Sequence, residues 1–141
     1  GLLDDGADML AFGDTTGMAT PRQVNALLDA LVAAGVGVGQ VAMHFHNTRN
    51  TGLVNIVTAL DRGVRVFDAS IGGLGGCPYA PGATGNVPTE DVVHLVEELG
   101  YDTGIDLDAL IESALLAEQI VGRTLPGQVM RAGPRLRTVN T

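Results

Sequence analysis

The stretch Gln40-Val-Ala-Met-His-Phe-His46 decides the fold class. It is a short apolar run that carries two histidines near its carboxyl end. A run of this length and composition is typical of a buried strand. An amphipathic helix follows and stops at Gly63. The apolar face of that helix consists of Leu53, Ile56, Val57 and Leu60. Together the strand and the helix predict one β–α unit of a parallel sheet.

The same unit stands on either side of this stretch. Met9-Leu-Ala-Phe-Gly13 predicts a first strand, and Thr20-Pro21 predicts the cap and first turn of a helix that ends before Gly35. Val64-Arg-Val-Phe-Asp68 predicts a third strand. Strands that alternate with helices through short connections indicate the α/β class with parallel pairing.

The remainder of the chain predicts two helices and a tail. Thr89 is expected to cap a helix that ends near Gly100, and Asp106 to cap another that runs to about Gly122. Residues 124–141 contain Gly and Pro without periodicity, which predicts a loose tail.

The composition excludes several functions. Sixteen acidic residues against eight basic ones give a net charge of -8, and the basic residues are scattered, so nucleic acid is not expected as a partner. All eight are arginine, so no lysine is present to form a Schiff base. No apolar stretch approaches the ~20 residues of a membrane span. A single cysteine, Cys77, indicates a reducing compartment, most simply the cytoplasm.

Polar residues follow the predicted strands at their carboxyl ends, where α/β folds build their sites. His44 and His46 are two apart, so both side chains are expected to leave one face and to be able to bind a metal ion. The alternative is a pair of hydrogen-bonded polar residues at a strand end. Asp14 and Asp68 end the neighbouring strands. The alternative for Asp14 is a local Asx-type turn in Asp-Thr-Thr-Gly, and the alternative for Asp68 is a hydrogen bond to the glycine-rich backbone that follows it.

A glycine-rich loop follows the third strand, from residue 71 to residue 88. Glycine is costly in entropy unless the backbone needs unusual dihedral angles or approaches a ligand closely. A mobile loop that brings Cys77 over the rim would allow proton transfer by a thiol near a cation, whereas the alternative is an inert buried cysteine. Arg49 is expected to pair with a carboxylate or phosphate, or else to be solvated.

The run Ile71-Gly-Gly-Leu-Gly-Gly-Cys-Pro-Tyr-Ala-Pro-Gly-Ala-Thr-Gly-Asn86 closely resembles the cysteine-loop signature of 3-hydroxy-3-methylglutaryl-CoA lyases. Other motifs occur in the family's order and spacing, and the resemblance reaches about residue 120. They are Gly13-Asp-Thr-Thr-Gly17, His44-Phe-His46, Phe67-Asp-Ala-Ser70, Thr89-Glu-Asp91 and Thr103-Gly-Ile-Asp-Leu-Asp108.

The resemblance implies the carboxyl-terminal part of a TIM (β/α)₈ barrel of the DRE-TIM metallolyase group, with about three parallel strands, their helices and the closing helices. The expected boundaries are residues 1–123 for the barrel part and 124–141 for the tail. A full barrel takes ~250 residues, so the preceding strands are expected to be missing.

The resemblance also implies Mg²⁺ or Mn²⁺ bound by His44, His46 and Asn86. Cys77, or a metal-adjacent histidine such as His44, would assist proton transfer, and Asp14 would be a polar rim residue near the substrate. Gly75 and Gly76 of the glycine-rich loop, together with Arg49 after the second strand, are the residues expected to contact the substrate.

The implied reaction is the retro-Claisen cleavage of 3-hydroxy-3-methylglutaryl-CoA to acetyl-CoA and acetoacetate. The family's first-strand Arg-Asp pair and early-strand Glu have no counterpart here, so the chain alone is expected to be inactive or nearly so. One alternative is a related acyl-CoA condensing enzyme or aldolase of the same metal group. The other is a non-catalytic, truncated half-barrel that associates through its exposed strand edges. The expected protein partner is a second copy in a homodimer, or the missing amino-terminal half. The alternative to a fragment is an intact small three-stranded α/β domain that dimerises to complete its sheet.

Overall fold

The computed structural model describes residues 1–76 and 85–135. The strands are β1 (Leu10–Asp14), β2 (Val41–Phe45) and β3 (Val66–Asp68). The helices are α1 (Pro21–Ala33), α2 (Gly52–Asp61), α3 (Thr89–Glu98), α4 (Leu107–Val121) and α5 (Val129–Ala132), with 3₁₀ turns at Val38–Gln40 and Ile71–Gly73. The strands form one parallel sheet in the order β1-β2-β3, as the alternation of the sequence predicts.

One face of the sheet is covered by helices, whereas no helix within residues 1–76 and 85–135 covers the other, which we call the open face. On β2, Val41, Met43 and Phe45 are buried in the core beneath α1 and α2. Ala42 and His44 alternate with them and are only partly buried. The period of two along a strand therefore divides β2 into a core side and an open side.

Local capping explains where α1 and α4 begin. Thr20 Oγ1 accepts a hydrogen bond from the Gln23 amide at 3.4 Å, and Gln23 Oε1 accepts one from the Thr20 amide at 3.0 Å. This reciprocal capping box, with Pro21 in the first turn, confirms the predicted start of α1. Asp106 Oδ1 likewise accepts from the Ala109 amide at 3.1 Å and begins α4.

The predicted cap of α3 is wrong. Pro88 occupies the cap position and Thr89 is the first helical residue, and no side chain caps this end. Two acidic residues in the first turn, Glu90 and Asp91, are favourable to the helix dipole instead. None of the helices within the described ranges is long and apolar enough to cross a membrane.

Residues 124–135 differ from the predicted loose tail, because they pack into a second core. Leu125 is 1% exposed, and Val129 and Met130 are also buried. They contact Ile111 and Ala114 on the inner face of α4. The Gly and Pro residues of this segment allow tight turns around one buried leucine, which a search for helical or strand periodicity does not detect. Residues 136–141 lie outside the described part of the chain.

This packing gives a stability test. Leu125→Ala removes a fully buried side chain, so we expect it to lower the free energy of unfolding by about 2–5 kcal/mol. Leu116→Ala, on the exposed side of α4 with 55% of its surface accessible, should change it by about 0.5 kcal/mol or less. Urea unfolding followed by circular dichroism measures both, and equal midpoints for Leu125→Ala and the unmodified chain would contradict the packing.

Candidate functional site

His44 and His46 lie together at the carboxyl end of β2. Their ring centroids are 5.0 Å apart with an interplanar angle of 60°. His46 is 4% exposed, whereas about a quarter of the His44 side chain remains accessible from the open side of the sheet. The structure thus brings the two predicted histidines together at the carboxyl end of β2, where the His46 ring is buried and the His44 ring is accessible.

Asn86 reaches the same end of the sheet because the segment 85–88 inserts between the carboxyl ends of β2 and β3. The Asn47 amide donates to the Gly85 carbonyl at 3.3 Å, and the Val87 amide donates to the Phe45 carbonyl at 3.1 Å. These bonds form an antiparallel bridge that pairs Asn86 with His46. Backbone pairing, rather than a side-chain contact, therefore sets Asn86 beside the histidines.

The predicted ligand set fits part of a divalent-metal site. Within residues 1–76 and 85–135, no three His, Cys, Asp or Glu side chains come together to hold a metal ion. A site here would therefore rest on the imidazoles of His44 and His46 and on the amide oxygen of Asn86, donors that Mg²⁺ or Mn²⁺ accepts. Three ligands leave the other positions of an octahedral ion for additional groups. The assignment of these residues as ligands stays a prediction.

The strand register separates the two aspartates. Asp14 is the register partner of Phe45, so its side chain projects on the helix-covered side of the sheet. There its carboxylate accepts hydrogen bonds from the Met18 and Ala19 amides at 2.9 and 3.1 Å. Asp68 pairs with His44 and hydrogen-bonds its ring. Asp14 thus makes the local turn given as its alternative, and its place near a substrate stays a prediction.

Arg49 connects two loops at this end of the sheet. Its Nη1 donates to the carbonyl oxygens of Thr16 and Gly17 at 3.3 and 3.1 Å. These bonds link the loop after β2 to the loop after β1, although the side chain is otherwise exposed. Further guanidinium donors remain for an anionic group, so the predicted contact with substrate is still a prediction.

The two ends of the glycine-rich loop meet beside Asn86. A Cβ atom on the buried Gly85 would overlap the Gly73 carbonyl oxygen, so the two backbones pass too closely for any side chain. Gly75 and Gly76 are exposed, and a Cβ on Gly75 would lie 3.4 Å from Asn86 Nδ2. Cys77 and the residues up to 84 lie outside the described part of the chain, so the thiol's predicted role stays untested.

A buried acidic pair that the sequence reasoning missed fixes the base of this loop. Glu90 is fully buried, and its Oε2 accepts from the Gly72 amide at 3.0 Å. Burial raises the pKa of Glu90, the negative charge of Asp91 adds to this, and backbone hydrogen bonds oppose it. Asp91 accepts from the Val129 amide at 2.7 Å. The pair therefore joins the loop base to the carboxyl-terminal segment.

The HMGL-like family profile matches residues 2–116. The chain belongs to the HMGL-like family. Hydroxymethylglutaryl-CoA lyase YngG from Bacillus subtilis is 47% identical over 127 residues, which are 90% of this chain and 42% of that protein. (R)-Citramalyl-CoA lyase from Chloroflexus aurantiacus is 49% identical over 132 residues, which are 94% of this chain and 41% of that protein.

A solved structure of an HMG-CoA lyase from Acinetobacter baumannii, in complex with coenzyme A and 3-methylmalate, superposes with a TM-score of 0.89 and 44% identity. The superposition covers 99% of this chain and 45% of that one. The chain thus spans about two-fifths of the length of these three relatives. The predicted family is confirmed, and so is the interpretation of the open three-stranded sheet as part of a TIM barrel.

The burial of Glu90 predicts a pH-dependent stability. Because its folded-state pKa is raised above the ordinary 4.5, ionisation opposes folding, and the group's contribution to stability is lost as pH rises above that value. Glu90→Gln keeps a hydrogen-bond acceptor for Gly72 and cannot ionise. We expect the free energy of unfolding of Glu90→Gln to increase relative to the unmodified chain as pH rises.

Urea unfolding at about pH 4 and about pH 7.5 measures this difference. The other ionisable groups are common to variant and parent, so their contributions to the free energy of unfolding cancel in the comparison. Glu112→Gln, at an exposed position on α4, serves as the matched control and should show a constant difference. A constant difference for Glu90→Gln as well would show that the raised pKa does not affect folding.

Proposed function

We propose that this chain contributes the carboxyl-terminal part of a divalent-metal-dependent carbon–carbon lyase that cleaves 3-hydroxy-3-methylglutaryl-CoA to acetyl-CoA and acetoacetate. The observation that supports it is the placement of His44, His46 and Asn86 together at the carboxyl end of the central strand β2, in a chain of the HMGL-like family. A reducing, cytoplasmic setting remains part of the proposal.

His44, His46 and Asn86 would hold Mg²⁺ or Mn²⁺. Such an ion would polarise the oxygens of the substrate and lower the pKa of its tertiary hydroxyl. His46 suits a fixed ligand because it is buried and paired through its backbone with Asn86. His44 suits the substrate side, because part of its ring is accessible from the open face.

Bond cleavage requires two proton transfers in the proposed reaction. Transfer of the tertiary hydroxyl proton to a general base lets the bond to the thioester-bearing carbon break, which yields acetoacetate and the enolate of acetyl-CoA. The enolate carbon then takes a proton, and the proposed donor is Cys77 in the glycine-rich loop or a metal-adjacent histidine such as His44. Gly75 and Gly76 would admit the acyl-CoA to the loop, with Arg49 and Asp14 at the rim.

The remaining parts of the site would come from outside this chain. The family's first-strand Arg-Asp pair and early-strand Glu have no counterpart in residues 1–141, so we infer that the chain alone does not turn over substrate. β1 and β3 are the two edges of the sheet. Pairing of these edges with an amino-terminal half-barrel, or with a second copy of the chain, would satisfy their backbone groups.

A second acyl-CoA is favoured by a specific comparison. The relative at 49% identity is named (R)-citramalyl-CoA lyase, and the superposed lyase structure holds 3-methylmalate. We therefore propose (R)-citramalyl-CoA as the second candidate substrate for the same type of cleavage. A related acyl-CoA condensing enzyme or aldolase of this metal group is the third.

Metal uptake by the chain is the first test. We expect Mn²⁺ to bind weakly, because three ligands leave the coordination incomplete, and binding should disappear in His44→Ala. His94→Ala, which removes a histidine from α3, is the matched control and should bind like the parent. Isothermal titration calorimetry and Mn²⁺ electron paramagnetic resonance measure this, and uptake unaffected by His44→Ala would contradict the site.

Activity requires a complete barrel, so the second test uses a chimera. Residues 2–116 of this chain replace the matching segment of the Bacillus subtilis relative. We expect acetoacetate release from 3-hydroxy-3-methylglutaryl-CoA, lost on His44→Ala. Faster cleavage of (R)-citramalyl-CoA would favour the second candidate, and a folded, metal-loaded chimera inactive on both would overturn the lyase proposal.

A further inference from the structure

Asp68 is the polar neighbour of His44 on the adjacent strand. The parallel register makes the two residues Cα partners, and Asp68 Oδ1 is hydrogen-bonded to His44 Nδ1. Register partners carry their side chains on the same face of the sheet. Strand pairing, rather than the conformation of a loop, therefore builds this contact.

The opposite side of the His44 ring faces a position without a side chain. Its register partner on β1 is Gly13, and a Cβ atom at Gly13 would lie 3.7 Å from His44 Cδ2. The ring thus lies across the open face with Nδ1 toward β3 and Cδ2 toward β1. Its far edge, which carries Cε1 and Nε2, lies farthest from the backbone of β2.

We propose that Asp68 is a positioning residue that accepts the Nδ1–H of His44 and so leaves Nε2 unprotonated and available to a divalent cation. This inference rests on the proposed function, in which His44 is a metal ligand. Metal-bound histidines commonly donate their other ring N–H to a carboxylate, which selects the tautomer and the orientation of the ring. Asp68 Oδ1 is already engaged by the ring, which favours orientation over direct ligation.

The exposure of this pair makes the inference testable without unfolding the protein. About two-thirds of the Asp68 side chain is accessible, compared with a quarter for His44. Hydrogen-bonded pairs this exposed contribute little to stability. Substitution of Asp68 should therefore change the ring and its metal affinity while the fold stays intact, which urea unfolding of each variant verifies.

The first measurement reads the tautomer of His44 directly. Long-range ¹H–¹⁵N spectra of the metal-free chain, recorded at about pH 8, distinguish protonated from unprotonated ring nitrogens. We expect Nδ1–H in the parent, a mixture of tautomers in Asp68→Ala, and retention of Nδ1–H in Asp68→Asn, whose Oδ1 still accepts. Asp61→Asn is the charge-matched control, because Asp61 is an exposed residue at the last position of α2.

The second measurement reads Mn²⁺ affinity by calorimetry in the same variants. Loss of an orienting carboxylate typically weakens metal binding 10–100-fold, so we expect a decrease of that order in Asp68→Ala. Asp68→Asn should bind Mn²⁺ with an affinity between those of Asp68→Ala and the parent, and Asp61→Asn should bind it like the parent.

Three results would overturn the inference. One is a parent spectrum with Nε2–H. Another is parent-like binding by Asp68→Ala when His44→Ala abolishes it. The third is a loss in both Asp68 variants as complete as in His44→Ala with the tautomer unchanged, which would make Asp68 a direct ligand. If His44→Ala leaves Mn²⁺ binding unchanged, the proposed metal site fails, and the tautomer spectrum alone decides whether Asp68 orients the ring.

Discussion

The alternation of side chains along β2 is the constraint on which the rest of the structure depends. Val41, Met43 and Phe45 enter the core, so Ala42 and His44 must occupy the opposite face. A slip of one residue in the pairing would bury the imidazole among apolar helices and expose three large apolar side chains. Burial of the apolar set therefore fixes the register, and the register determines which groups adjoin His44.

The same register explains why two aspartates at equivalent strand ends have different partners. Asp14 lies opposite Phe45 and turns to the amides of its own loop, whereas Asp68 lies opposite His44 and meets its ring. The base of the glycine-rich loop has a separate anchor in the buried Glu90, which receives the Gly72 amide. The position of Asn86 beside His46 thus depends on two cores. One lies between the sheet and its helices, and the other lies between α4 and the carboxyl-terminal segment.

Much of the fold could be predicted from local signals. The Thr20 cap with Pro21, the Asp106 cap and the short apolar runs each depend on neighbouring residues, and all three appear in the structure. The packing of Leu125 could not be predicted, because a single buried leucine among Gly and Pro has no periodicity. Relations between strands, such as the pairing of Asp68 with His44, depend on register, which spacing along one strand does not specify.

The open face of the sheet connects the fold to the chemistry of the site. Parallel sheets are normally covered on both sides, yet Val66 is 41% exposed here and the partners Ala11 and Ala42 are small. In a closed barrel, layers of side chains from alternate strands fill the interior, so the bulk above these small residues would have to come from other strands. That closure would also remove water from the pair formed by His44 and Asp68 and strengthen its hydrogen bond, because electrostatic interactions grow as the local dielectric falls. Completion of the sheet and orientation of the His44 ring are therefore coupled, and the hydrogen bond between His44 and Asp68 should become stronger as the barrel closes.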